Sequence, residues 1–221
     1  MTFSICATDG KVHGAAVATK SLTVGSLVPF VSKNGAVCTQ SFVSVPLGVK
    51  TSRLLDNDSS IDHAIETLLD KDLDPSRRQI HGVDTWGNSH IHSGNNCSGW
   101  FGGIDKKKYT IAGNMLTGEK VIQEMAKAFE SSDEDEPMEN RLMKTIRAGE
   151  DAGGDKRRET AQSAALKIYH PKNPKIQHDL RVDEHDKAVS ELERILDEAV
   201  KAQKEAEEEY QNLDIKFQRY P

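Results

Sequence analysis

Polar and apolar residues alternate in the strand period from Thr2 to Thr8, and Lys11 to Ala18 reads as a second strand. Asp9-Gly10 between them predicts a two-residue hairpin turn, since such turns need positive φ at their central positions. A second hairpin follows, with Val28 to Lys33 and Ala36 to Gln40 joined at Asn34-Gly35. The period then becomes helical. Ser59 and Ser60 are N-caps in sequence for a helix carrying Ile61, Ala64, Ile65, Leu68 and Leu69 on one face, stopped by Leu73-Asp74-Pro75. Gln79 to Asp84 and Ser89 to Ser93, around Trp86-Gly87-Asn88, predict a third hairpin, and Tyr109 to Ala112 a short strand.

Helical spacing returns after Thr117, a possible cap, with Val121, Ile122, Met125, Ala126 and Phe129 on one stripe. An acidic loop from Ser131 to Pro137 precedes a helix from Met138 to Ala148, closed by Gly149. Gly153-Gly154-Asp155 turns the chain into a strand from Ser163 to Tyr169. The last element is a long helix from Asp186 to Asn212, whose apolar stripe is wide only as far as Val200. Strands, helix, strands, two helices, strand and helix in that order predict an α+β fold with helices covering antiparallel sheets.

At 221 residues the chain suffices for one sizeable domain. We divide it into a body over 1–199 and a polar helical extension over 200–221. The net charge is −6, but ten of the 35 acids and four of the 29 bases fall in 184–209, so the remainder carries equal numbers of each sign. A neutral body without a basic stripe argues against nucleic acid as a partner. No apolar run matches a membrane span or a signal sequence, which predicts a cytoplasmic protein with no membrane partner. Cys6, Cys38 and Cys97 are odd in number and widely spaced, so neither a disulfide framework nor a zinc knuckle is expected, and Cys6 and Cys38 read as small core residues.

The chemistry most worth weighing sits at Thr2. A small residue after the initiator Met normally permits its removal, and a free N-terminal Thr carries a hydroxyl nucleophile beside its own amine base. That amine titrates at about 7.7–8.0, near neutral pH without further tuning. The plainer reading is a β-branched residue opening a strand. His90-x-His92 has a spacing that metals use, yet no third ligand is near, and exposed hairpin histidines explain it better. Lys20 follows an apolar run and can face inward or face water. Gly153 to Arg157 combines a carboxylate and a guanidinium on a flexible turn, or is a capped turn with a local ion pair. Neither a Ser/His/Asp triad nor a phosphate loop has spacing support.

Several spaced blocks together resemble one family. They are Thr2-Phe3-Ser4-Ile5, Gly14-Ala15-Ala16-Val17-Ala18-x-Lys20, Val24-Gly25-x-x-Val28-Pro29 and Gly35-Ala36-Val37-x-Thr39-Gln40. Further on come Arg78-Gln79, Gly113-Asn114-x-Leu116, Gly149-Glu150-x-Ala152-Gly153-Gly154-Asp155-x-Arg157, Gln162 to Leu166 and Asp179-Leu180-Arg181-Val182-Asp183-x-His185. The family is the bacterial and archaeal domain of unknown function 1028, grouped with the Ntn-hydrolase (N-terminal nucleophile) superfamily, and the resemblance runs over residues 2–196. It implies a four-layer αββα sandwich with the N-terminal strand central.

The resemblance also implies amide-bond cleavage. Thr2 would be nucleophile and base, with Lys20 and Asp155 as its charged helpers, and Ser4, Gln40, Asn114 and Arg157 as substrate-lining groups. The substrate would be a small molecule or peptide-like, and no cofactor or metal is implied. The alternative is a catalytically silent Ntn-like domain that binds a ligand or assembles. The chain departs from the family pattern at Val45-Pro46, Gly102-Gly103 and Arg158-Glu159-Thr160, which bears on the substrate more than on the fold. At the other end, Tyr210, Leu213, Ile215 and Phe217 predict contact with a second copy, a homodimer, in place of a solvated tail.

Overall fold

The computed structural model describes residues 2–155, 157, 159–171 and 173–212, the side chains of 173–176, 207 and 210–212 excepted. Along the chain come β1 (Thr2–Thr8), β2 (His13–Thr19), α1 (Val24–Leu27), β3 (Pro29–Ser32), β4 (Gly35–Ser41), α2 (Val45–Asp56), α3 (Ile61–Leu69) and β5 (Arg78–Asp84). There follow β6 (Ser89–Ser93), β7 (Trp100–Lys106), β8 (Tyr109–Leu116), α4 (Glu119–Glu130), α5 (Met138–Asp151), β9 (Ser163–His170), β10 (Asn173–Val182) and α6 (Ala188–Asn212).

Two antiparallel sheets stack face to face. One has the order β10-β9-β2-β1-β8-β7 and the other β3-β4-β5-β6. The period-2 alternation of β1 divides its side chains between two layers. Phe3, Ile5 and Ala7 face the helices, joining Met125, Leu142, Ile146 and Leu192 in one core. Cys6 faces the other sheet, among Val17, Ala36, Cys38 and Val83. A third apolar cluster, with Val37, Leu55, Ile61, Ile65 and Ile80, lies where α2 and α3 cover the four-stranded sheet. The result is the α+β, four-layer αββα sandwich expected from the sequence, with the N-terminal strand flanked on both sides.

The local corrections have physical causes. The first hairpin does not turn on two residues: Thr8 pairs with His13, leaving four residues in the loop. The Asp9 carboxylate accepts the N–H groups of Lys11 and Val12, so a side-chain-braced turn replaces the tight one. In the second hairpin Ser32 pairs with Gly35, so the turn is Lys33-Asn34, one residue earlier than the sequence implies. Pro46 masks helix α2 in the sequence, yet Pro suits the first helical turn, and Ser44 caps it by accepting from the Leu47 N–H. Strand β7 was hidden by Gly102-Gly103 and by its partial exposure, and α1 and β10 also escaped. Gly149 does not close α5; it lies inside the helix, where an added Cβ would fall 2.8 Å from Met125 and 3.0 Å from Phe3. Glycine here permits close approach of helix to sheet.

Burial of α6 runs through Ala188, Val189, Leu192 and Leu196, with Ile195 and Val200 half-buried, and residues 201–205 are exposed. The Tyr210 side chain and Leu213, Ile215 and Phe217 lie outside the described residues. None of the described helices is long and apolar enough to cross a membrane.

Candidate functional site

Thr2 stands at the start of β1, paired across the ladder with Asn114 of β8 and 5% exposed. Its hydroxyl lies 3.4 Å from the Thr19 hydroxyl on the other side. Both neighbours are buried hydrogen-bonding groups at the end of the inter-sheet layer.

Lys20 and Asp155 are neighbours, but through the backbone. The Lys20 N–H donates to Asp155 Oδ2 at 3.1 Å. Arg157 wraps the same carboxylate, its N–H and Nε donating to Oδ1 at 2.9 and 3.2 Å and its guanidinium to Oδ2 at 2.9 Å. Asp155 is 3% exposed and makes an isolated antiparallel bridge with Leu116 at the end of β8. Gly153 and Gly154, at φ +110° and +40°, let the chain leave α5 and reach that position. The carboxylate therefore ties the 153–157 turn to the end of β2, one residue from the Thr19 hydroxyl beside Thr2.

Ser4, Gln40 and Asn114 belong to a buried polar network between the sheets, of which Asn114 reaches a cleft. The Ser4 hydroxyl donates to Gln40 Oε1 at 2.8 Å and meets His81 Nε2 at 2.7 Å. Gln40 and Asn114 both donate to Gln79 Oε1, at 2.9 and 3.0 Å. Gln79 in turn donates to the Gly113 carbonyl oxygen at 2.9 Å, and His81 Nδ1 meets Thr110 Oγ1 at 2.9 Å. Ser4 and Gln40 have no exposed surface, so in this conformation they brace the site from behind.

Sequence reasoning passed over Thr19, Gln79, His81 and Thr110. The signal was the Gln79-x-His81 spacing, which puts both side chains on one face of a strand and, since Cys38 and Gln40 pair opposite them, on the same face as those residues. The two facing cysteines titrate oppositely. Burial pushes the Cys6 thiol up, as does its neighbour Cys38. Burial opposes ionisation of Cys38 as well, but hydrogen bonds from Cys6 and His81, the His81 charge and Ser4 outweigh it and bring that thiol below its ordinary value.

Two clefts open near this end. One of about 740 Å³ is lined by Thr117, Arg147, Glu150, Asp155, Arg157 and Lys187, among others. The other, about 580 Å³, is lined by Ser41, Phe42, Arg77, Asn96, Ser98, Asn114 and Met115. The smaller cleft is the better candidate because it contains Asn114, the residue paired with Thr2. Ser41 and Met115, at φ 68° and 53°, hold left-handed backbone on its walls, and such strain gathers at ligand-binding positions. Phe42, 57% exposed, gives it an apolar wall, its ring covered by the Arg78 guanidinium at 5.1 Å.

The model of a family of unknown function, DUF1028, matches residues 2–192. Among solved structures, protein SPO2555 from Silicibacter pomeroyi, described by the same family model, superposes with a TM-score of 0.80 at 29% identity. The match covers 90% of this chain and 88% of that one. No curated protein matches.

Proposed function

We propose that this chain, which belongs to the DUF1028 family of unknown function, is an N-terminal-nucleophile hydrolase of the Ntn type, cleaving an amide bond in a small or peptide-like substrate. The observation that carries the reading is the setting of Thr2: the first residue of an inner strand, facing the inter-sheet layer, between the Thr19 hydroxyl and Asn114. With Met1 removed, the Thr2 α-amine takes the proton from Oγ1 as the oxygen attacks the substrate carbonyl carbon. Asn114 spends one N–H on Gln79 Oε1, which leaves a second for the developing oxyanion. The C–N bond then breaks, the leaving amine carries away the proton, and an ester remains on Thr2. Water adds to that ester with the α-amine as base and releases the acid. Asp155, held by Arg157, fixes the Lys20 backbone at the end of β2, beside Thr19 and so beside Thr2.

Mass spectrometry of the intact chain identifies molecules lacking Met1, and a threonine-directed β-lactone tests them. The expected result is a single adduct on Thr2 that is kept in Thr2→Ser and lost in Thr2→Ala. A trimmed chain that takes no adduct, or a Thr2→Ala chain labelled equally, overturns the reading. The enclosure of Thr2, 5% exposed, favours a second reading as a catalytically silent ligand-binding domain, for which the trimmed chain stays unlabelled.

A further inference from the structure

Residues 6, 38 and 81 are far apart in sequence, and the stacking of the sheets brings them to one point. Cys38 on β4 and His81 on β5 are direct cross-strand partners. Cys6 comes from the facing sheet, its thiol 3.8 Å from the His81 carbonyl oxygen. The two sulfurs and an imidazole nitrogen all lie within 4.8 Å of one another, and all three residues are fully buried. No other such cluster occurs among the described residues.

We propose that Cys6, Cys38 and His81 hold a divalent, thiolate-preferring transition ion of the zinc class, which clamps the sheet bearing Thr2 to its partner sheet. Distance supports it. Tetrahedral bonds of about 2.3 Å to sulfur and 2.0–2.1 Å to nitrogen set ligand atoms about 3.5–3.8 Å apart, so a closure of at most about 1.3 Å from the 4.8 Å limit completes the site. Charge supports it as well. Each thiol releases its proton to solvent on binding, and two thiolates then offset the two charges of the ion. The filled site is neutral, which a fully enclosed position demands.

The donor set is selective. Two sulfurs and an imidazole suit zinc and its chemical relatives, whereas calcium and magnesium take oxygen ligands. The surroundings are those of a metal-bound histidine. Each ring nitrogen of His81 already faces a hydroxyl, Ser4 Oγ at 2.7 Å and Thr110 Oγ1 at 2.9 Å. The ion takes one nitrogen, and the hydroxyl displaced from it is an oxygen donor for the fourth position. The other hydroxyl goes on orienting the ring, as outer hydrogen bonds do for histidine ligands.

Full-length protein refolded from denaturant with Co(II), and separately with Zn(II), tests the site. The expected result is one ion per chain, thiolate-to-cobalt charge-transfer bands with tetrahedral d–d absorption, and a higher thermal midpoint with Zn(II). Cys6→Ala and Cys38→Ala should lose both effects, and Cys97→Ala should keep them. Thiol reactivity of the wild-type chain makes the test independent of variant folding: in mild denaturant, where transient opening exposes the buried thiols, Zn(II) should slow the modification of two thiols and a chelator should restore it. Absence of a stoichiometric ion, thiol reactivity indifferent to Zn(II), or a Cys6–Cys38 disulfide in the freshly purified chain overturns the proposal.

Discussion

His13 has no exposed surface; its Nδ1 meets Thr8 Oγ1 at 2.8 Å, its Nε2 the Lys33 carbonyl oxygen at 3.1 Å, and its ring stacks on Tyr169. Burial lowers its pKa below the usual 6.5, and burial does the same to His178. Below pH 6.5 the unfolded chain therefore binds protons that the folded chain refuses, so stability falls as pH drops from 6.5 through the lowered values. The denaturant midpoint should fall between neutrality and about pH 5, and His13→Gln should make that fall shallower. If the wild-type midpoint does not change over that range, the assignment fails. Asp155 offers a second residue-scale expectation. Asp155→Ala leaves the Lys20 N–H and the Arg157 guanidinium without their acceptor, at a cost of about 1–3 kcal/mol. Urea unfolding measures this directly, and β-lactone labelling of the trimmed chain should slow in parallel.

At the scale of elements, legibility followed periodicity. The helices at Ile61–Leu69 and Glu119–Glu130 are visible because each repeats the burial stripe that one layer demands, and the strands at Thr2–Thr8 and Ser163–His170 because they are continuous β-rich runs buried mostly or wholly along their length. Strand β7 is not, because its residues are partly or wholly exposed and no alternation is imposed on them. The site was half legible for a related reason. Thr2 and the glycine-rich turn before Arg157 are local signals, whereas Gln79 and His81 acquire their role from the sheet opposite, which no local pattern records. Helix α6 shows the energetic side of the same rule. Leu192 is wholly buried against the six-stranded sheet, so Leu192→Ala should cost about 2–5 kcal/mol. Lys201→Ala, on an exposed turn of the same helix, should change stability by no more than about 0.5 kcal/mol. Equal losses at both positions would mean that the helix docks along its whole length.

For the molecule as a whole, the open question is what meets the acidic half of α6. Residues 201–205 are exposed, and isolated helices of this length are marginal without packing. We expect a homodimer contacted in part by the C-terminal extension. Light scattering on the full chain and on a version ending at Ala199 checks this: a dimer that becomes a monomer on truncation fits, and two monomers at micromolar concentration do not.

The middle position of β1 in its sheet has a consequence for biosynthesis. Its partner on one side, β2, follows after a short loop, but its partner on the other side is β8, which begins at Tyr109. A ribosome adding about 5–20 residues per second delivers that strand on the order of 5–20 s later. Throughout the interval β1 has one unpaired edge, the kind of edge that recruits strands from other chains. Arrested nascent chains ending before residue 109 should therefore be held by chaperones or aggregate, and protease resistance should appear only in chains long enough to expose β8, α5 and β9 outside the exit tunnel.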